Sequence, residues 1–114
     1  MKLLTEEQRE RLLANGRESA ETGDKDHFPV VKLFTPDAGA TWLLTELYPD
    51  DPDIAFGLCD LGLGFPELGT VRISELVQLR GRLGLPVERD LHFTAKKPLS
   101  AYAEEAMQHG CIQV

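Results

Sequence analysis

The chain reads as an α+β domain: an antiparallel meander of four to five strands, with N-terminal, middle and C-terminal helices packed mainly on one face. Three observations predict this. Between residues 29 and 73, short runs rich in β-branched and aromatic residues alternate with clusters of Pro, Gly and Asp, as strands joined by turns do. The clusters are too short for the crossovers that parallel strands need. Helical periodicity and end signals occur before and after this region rather than between its strands.

The first element is a helix expected over residues 6–15. Thr5 and Gln8 form a capping box, Glu6 and Glu7 lie in the first turn, and Gly16 is a stop signal. Its apolar face is thin, limited to Leu4, Leu12 and Leu13. The stretch RESAETGDKDH, residues 17–27, is polar and without period, so residues 1–28 read as one helix and a polar loop. Residues 29–73 read as the meander, with strands at 30–34, 41–48, 54–61 and 68–73 separated by TPDAGA, PDDPD and GLGFPE.

Residues 74–93 read as a helix and a fifth strand. Ser74 is placed to cap the helix ELVQLRGRL, with Glu75 in its first turn, Arg80 and Arg82 in its last, and Gly84 and Pro86 beyond. The strand is expected over 87–93. After Pro98, Leu99, Tyr102, Ala103, Ala106 and Met107 fall at helical spacing, which predicts a C-terminal helix over 98–110 whose stripe packs on the sheet.

Composition bounds the function classes. A chain of 114 residues, 42% hydrophobic and 27% charged, suffices for one domain with a packed core and leaves no room for a second. No apolar run approaches the ~20 residues of a membrane span, and MKLLTEEQRE passes from Leu4 straight into charge, so neither membrane insertion nor a signal peptide is expected and the location reads as cytoplasmic. In that compartment Cys59 and Cys111 read as free thiols. The net charge of -7 is uneven: residues 1–26 carry five bases and seven acids, residues 27–70 only Lys32 against seven acids, and residues 71–114 six bases and five acids. The acidic centre repels phosphate backbones and attracts cationic partners.

Alternation and turn positions separate the sheet into two faces. One carries Val31, Leu33, Leu43, Leu47, Ala55, Gly57, Cys59, Val71 and Ile73, small and aliphatic. The other carries Lys32, Phe34, Trp42, Glu46, Tyr48, Phe56, Asp60, Thr70 and Arg72, aromatic and charged, and is the expected binding surface. Glu67, in the turn beside it, completes the candidate set of Trp42, Glu46, Tyr48, Phe56, Asp60, Glu67 and Arg72.

Catalytic and metal readings find less support. The register sets Glu46 opposite Phe56 and Asp60 opposite Trp42, which places the two carboxylates roughly 13 Å apart, too far for a dyad. Cross-strand pairing of Asp60 with Arg72, and of Lys32 diagonally with Glu46, accounts for those charges. Asp50, Asp51 and Asp53 lack the spacing of a calcium loop and have Pro49 and Pro52 among them, so a solvated turn is expected. Gly62 and Gly64 precede a strand rather than open a helix, unlike a phosphate-binding loop. His27, His92, His109, Cys59 and Cys111 show no zinc spacing. No cofactor is expected. Arg72, Arg80, Arg82, Arg89, Lys96 and Lys97 with Trp42 and Phe56 suggest single-strand nucleic-acid binding only weakly, against a pI of about 4.9.

The segments PVVKLFTP (29–36), FGLCDLGLGFPELGTVRISEL (56–76) and LGLPVERDLHF (83–93) resemble a bacterial family catalogued as domain of unknown function 2958. The resemblance is collinear from Leu3 to Phe93, and its most specific part is the string G-L-x-D…P-E-L-G…S-E-L. Thr70 departs from it, standing where the family pattern places an aromatic ring. The family implies residence on mobile elements, near anti-restriction or conjugation genes, and an accessory role in defence or transfer. It brings no reaction, ligand or catalytic residue. The expected function is therefore a non-enzymatic acidic module that docks a protein with a basic surface. The alternatives are a small hydrolase or nucleic-acid-processing enzyme using Glu46, Asp60 or Glu67, and a single-strand nucleic-acid binder.

Overall fold

A computed structural model describes residues 2–23 and 25–114 of the chain; Met1 and Asp24, which fell in the expected helix-and-loop segment, lie outside the described residues. The element order is α1 (Glu6–Thr22), β1 (Val31–Phe34), β2 (Thr41–Tyr48), β3 (Asp51–Asp60), β4 (Glu67–Arg72), α2 (Ile73–Gln78), β5 (Glu88–Arg89) and α3 (Leu99–His109). The strands form one antiparallel sheet in the order β4-β3-β2-β1-β5. The α+β fold with a meander at its centre is the one the sequence predicts.

Three elements differ most from expectation in their extent, each for a physical reason. Helix α1 begins at the expected capping box, with Gln8 N donating to Thr5 Oγ1 at 3.0 Å. It then continues through Gly16 to Thr22 instead of stopping. Gly16 is there for close approach: a Cβ would lie 1.8 Å from the Leu47 carbonyl oxygen of β2. Helix α2 is only six residues long and ends before Arg80. Its first-turn amide at Ser74 donates to Asp53 Oδ1 of β3 at 2.9 Å, so an acid from another strand supplies the acceptor that Ser74 was expected to be. Arg80 nevertheless covers the helix end, its Nη1 donating to the Val77 and Leu79 carbonyls. Finally, β5 keeps two residues of the expected seven, because Asp90 folds back to accept from the His92 amide at 2.9 Å and turns the chain away from β1.

The faces differ from expectation at one place with large consequences. Strand β2 pairs with β3 as Leu44↔Gly57 and then Glu46↔Phe56, so Thr45 is an extra, bulged residue. Its hydroxyl donates to the Phe56 carbonyl and its own carbonyl accepts from Asn15 Nδ2 at 2.9 Å. A bulge reverses side-chain parity. Glu46 and Tyr48 keep the expected side, while Trp42 and Leu43 exchange faces.

The first face is thus covered by α1 and α2, where Leu12, Val31, Leu33, Trp42, Leu44, Leu47, Ala55 and Leu76 form the main core. On the second, α3 lays Leu99, Tyr102, Ala103 and Ala106 over Leu43 and Leu58. Among the described residues no helix is long and apolar enough to cross a membrane.

Candidate functional site

Strand β1 starts at Val31, opposite Leu44, so β2 beyond Leu44 has no strand on that side. Helix α1 fills the gap. Leu12 is wholly buried in the first-face core, Asn15 bonds the Thr45 carbonyl, and Gly16 rests on Leu47. One turn later, Ser19 and Ala20 reach round the edge of β2 to its second face. There they meet Glu46, Tyr48 and Phe56 at the end of the sheet that α3 leaves open, and an open cleft of about 370 Å³ lies between them. Pro49 and Asp50 of the β2–β3 turn and Asp51 at the start of β3 line one side of the cleft, and Lys25 lines the cleft as well.

Glu46 is the notable group. Its side chain belongs to a residue only 9% exposed, and Oε1 lies 3.4 Å from Ser19 Oγ. Ser19 Oγ is in turn 3.5 Å from His27 Nε2, which is 3.9 Å from Glu18 Oε1 at the surface. One hydroxyl proton fixes the direction of this chain: Ser19 donates to Glu46 and accepts from His27 when Nε2 carries hydrogen. The contacts are long for bonds from a hydroxyl, and they orient the carboxylate rather than grip it. A carboxylate so placed, beside Tyr48 and Phe56, suits a cationic group whose stem lies against aromatic surface.

The acids of the β2–β3 turn and the start of β3 divide into two kinds. Asp51 Oδ2 lies 3.2 Å from Arg72 Nη1, and Asp53 Oδ2 lies 3.5 Å from the same nitrogen. Asp53 also accepts from the Ser74 hydroxyl at 2.7 Å and the Ser74 amide. Those two Ser74 bonds first, and Arg72 after them, hold the Asp53 carboxyl below its ordinary value, while the bond to Asp51 foremost raises the Arg72 guanidinium. Asp51 and Asp53 are thus engaged by a cation, whereas Asp50 stands exposed at the turn. Among the described residues no group of three or more His, Cys, Asp or Glu could hold a metal ion.

Of the seven residues the sequence singled out, the cleft brings together Glu46, Tyr48 and Phe56, and Arg72 stands behind its rim through Asp51. Trp42 does not belong to it. At 2% exposure it packs in the first-face core, on the far side of the sheet, because of the Thr45 bulge. Asp60 is buried at the opposite end, where Oδ1 accepts from Gly62 N at 2.8 Å and Oδ2 from Ile112 N at 3.0 Å. The expected Asp60–Arg72 pair is absent, since β4 registers Arg72 against Ile54, and Asp60 faces Thr41 rather than Trp42. Lys32 pairs with Asp90 at 3.3 Å instead of approaching Glu46. Glu67 is exposed opposite Cys59, whose thiol burial raises first and Glu67 second. The three carboxylates considered for hydrolysis therefore do not share a cleft.

Ser19, Ala20 and Lys25 went unnoticed because residues 17–27 read as loop. A signal existed: Leu12, Gly16 and Ser19 continue a helical period in which small residues replace large ones, and these three are the buried positions of α1.

The family model described as protein of unknown function (DUF2958) matches residues 3–113, past Phe93 and through α3, and the chain belongs to that family. No curated protein and no solved structure matches significantly.

Proposed function

We propose that this member of the family is a non-enzymatic interaction module whose cleft between α1 and the β2–β3 turn receives a lysine or arginine side chain of a partner protein. The observation that carries the reading is the Glu46 carboxylate, buried beside the aromatic walls of Tyr48 and Phe56. A basic side chain entering there exchanges water for a carboxylate at its head and ring surface along its stem, the combination typical of interface anchors. The acidic segment 27–70 supplies the longer-range attraction. The family's implied place on mobile elements suggests a partner class, a nucleic-acid-handling host enzyme with a basic groove.

The test is a titration of the ¹⁵N-labelled protein with short Arg- and Lys-containing peptides and with an acidic control. Saturable shifts confined to Ser19, Glu46, Tyr48 and Phe56 are expected for the basic peptides alone, weakened about tenfold or more by Glu46→Gln, as removal of a charged hydrogen-bond partner does. Shifts that Glu46→Gln leaves unchanged, or none that saturate, would overturn the reading.

A further inference from the structure

At the other end of α1, a second cleft of about 410 Å³ opens between the segment preceding that helix, the end of α2 and the chain entering β5. Its walls are aliphatic: Leu3, Val77, Pro86 and Val87. Three cations line it, Lys2, Arg80 and Arg89, against the single acid Glu88. That balance is unusual for a chain with 19 acids and 12 bases. Elsewhere Lys25, Lys32, Arg72 and Lys97 lie beside carboxylates.

Arg80 is held differently. Arg80 Nη1 donates to the Val77 and Leu79 carbonyls at 3.0 and 2.8 Å, and Arg89 Nη1 donates to the Lys2 and Leu3 carbonyls, both at 3.0 Å. The Arg80 contacts are to neutral groups, which orient the fork without cancelling its charge. Among the described residues Arg80 forms no ion pair and no hydrogen bond from Nε or Nη2. A pre-oriented guanidinium beside a second one and a lysine suits an oxyanion, which it meets through parallel N–H bonds. The walls add a second requirement. They are aliphatic, so they offer no ring for a base to stack on and favour a short alkyl body.

The geometry points to an anion site in this cleft, for a ligand that carries one carboxylate or phosphate group on a short aliphatic chain. The site is separate from the Glu46 cleft and opposite to it in charge. The oxyanion lies between Arg80, Arg89 and Lys2, and the chain lies on Val77, Pro86 and Val87.

The experiment titrates the ¹⁵N-labelled full chain with butyl phosphate, valerate and inorganic phosphate. Saturable shifts are expected at Leu3, Val77 and Val87 with at least one alkyl anion, and which one it is identifies the oxyanion. Inorganic phosphate is expected to bind about tenfold more weakly than the preferred alkyl anion, having no apolar area to bury. Arg80→Gln should weaken binding about tenfold or more. Because Arg80 also covers the end of α2, Lys2→Gln serves as the second variant, with up to about a fivefold loss expected for an exposed charge. The proposal is overturned if no probe saturates, if inorganic phosphate binds as tightly as the alkyl anions, or if both variants bind like the wild type.

Discussion

The two faces of the sheet are covered by different means. On the first, α1 and α2 bury one continuous cluster that runs from Leu4 through Trp42 and Leu44 to Leu76 and Val87. On the second, α3 brings Ala103 and Ala106 beside Tyr102 and Leu99, and covers the part of the sheet around Leu43 and Leu58, with Phe56 at its margin. The uncovered remainder is where Glu46 and Phe56 meet α1. The first face is therefore covered across the sheet, the Arg80 cleft drawing on its Leu3 and Val87, and the second is divided between stability and an open cleft. Leu43 and Leu44, adjacent in sequence and both fully buried, lie on opposite sides of that division.

The comparison is tested most strongly at this pair. Leu44→Ala should cost about 2–5 kcal/mol, the range for a buried leucine, with the loss set by how far the neighbours collapse. Leu44 lies in the larger cluster, on the strand that α1 packs against, so the upper part of the range is expected. Leu43→Ala should fall in the lower part, because it lies in the smaller cluster, where α3 can settle toward the sheet. Urea unfolding of the two variants measures the difference. Equal costs would show that the faces are equally rigid and break the contrast.

Gly16→Ala is expected to come next, at about 1–3 kcal/mol as for overpacking of a tight contact. The added Cβ would meet the Leu47 carbonyl oxygen at 1.8 Å, and that oxygen is backbone, unable to swing aside. Helix α1 must then lift from the edge of β2. Because Gly16 also lines the Glu46 cleft, the same titration with basic peptides should weaken together with stability. A variant as stable as the wild type would show that α1 does not depend on this approach.

The sequence made the order of β1 to β4 and most of the meander legible, because alternation and turn residues are local signals, but nothing local placed β5 beside β1. Even the Glu46–Phe56 register follows from the turn near Asp51. It hid what depends on a neighbour. The Thr45 bulge has no Gly or Pro on its own strand, only Gly57 across from Leu44, so unbroken alternation placed Trp42 on the binding face when it belongs to the core. Gly16 resembles a helix stop because its partner, the Leu47 carbonyl, is 31 residues away. Half of the cleft was hidden with it, since Ser19 and Ala20 matter only once α1 continues. Glu46 and Asp60 looked alike as acids on the charged face, yet Asp60 accepts from the Gly62 and Ile112 amides at the far end of the sheet. Only Glu46 opens on a cleft.

The smallest expected effect concerns the attachment of α2, the least extensive of the helices on the first face. Asp53 accepts from the Ser74 hydroxyl and amide and, more distantly, from Arg72, and these bonds lower its folded pKa. A lowered carboxyl stabilises the fold fully above its unfolded pKa of about 3.9, and that contribution is lost as pH falls through the lower folded value. Wild type should therefore lose stability on acidification below about pH 4, and Asp53→Asn should show a shallower decline there together with a small deficit at neutral pH. Asp53 is at the surface, so the deficit is expected to shrink further at high salt. Unfolding midpoints across pH 2–6, at low and high salt, read both effects. Parallel acid limbs in the two proteins would mean that the Ser74 bonds form equally well with the amide. The attachment of α2 would then owe nothing to the charge on Asp53 and rest on those bonds together with Leu76 and Ile73, which join the apolar cluster of the first face.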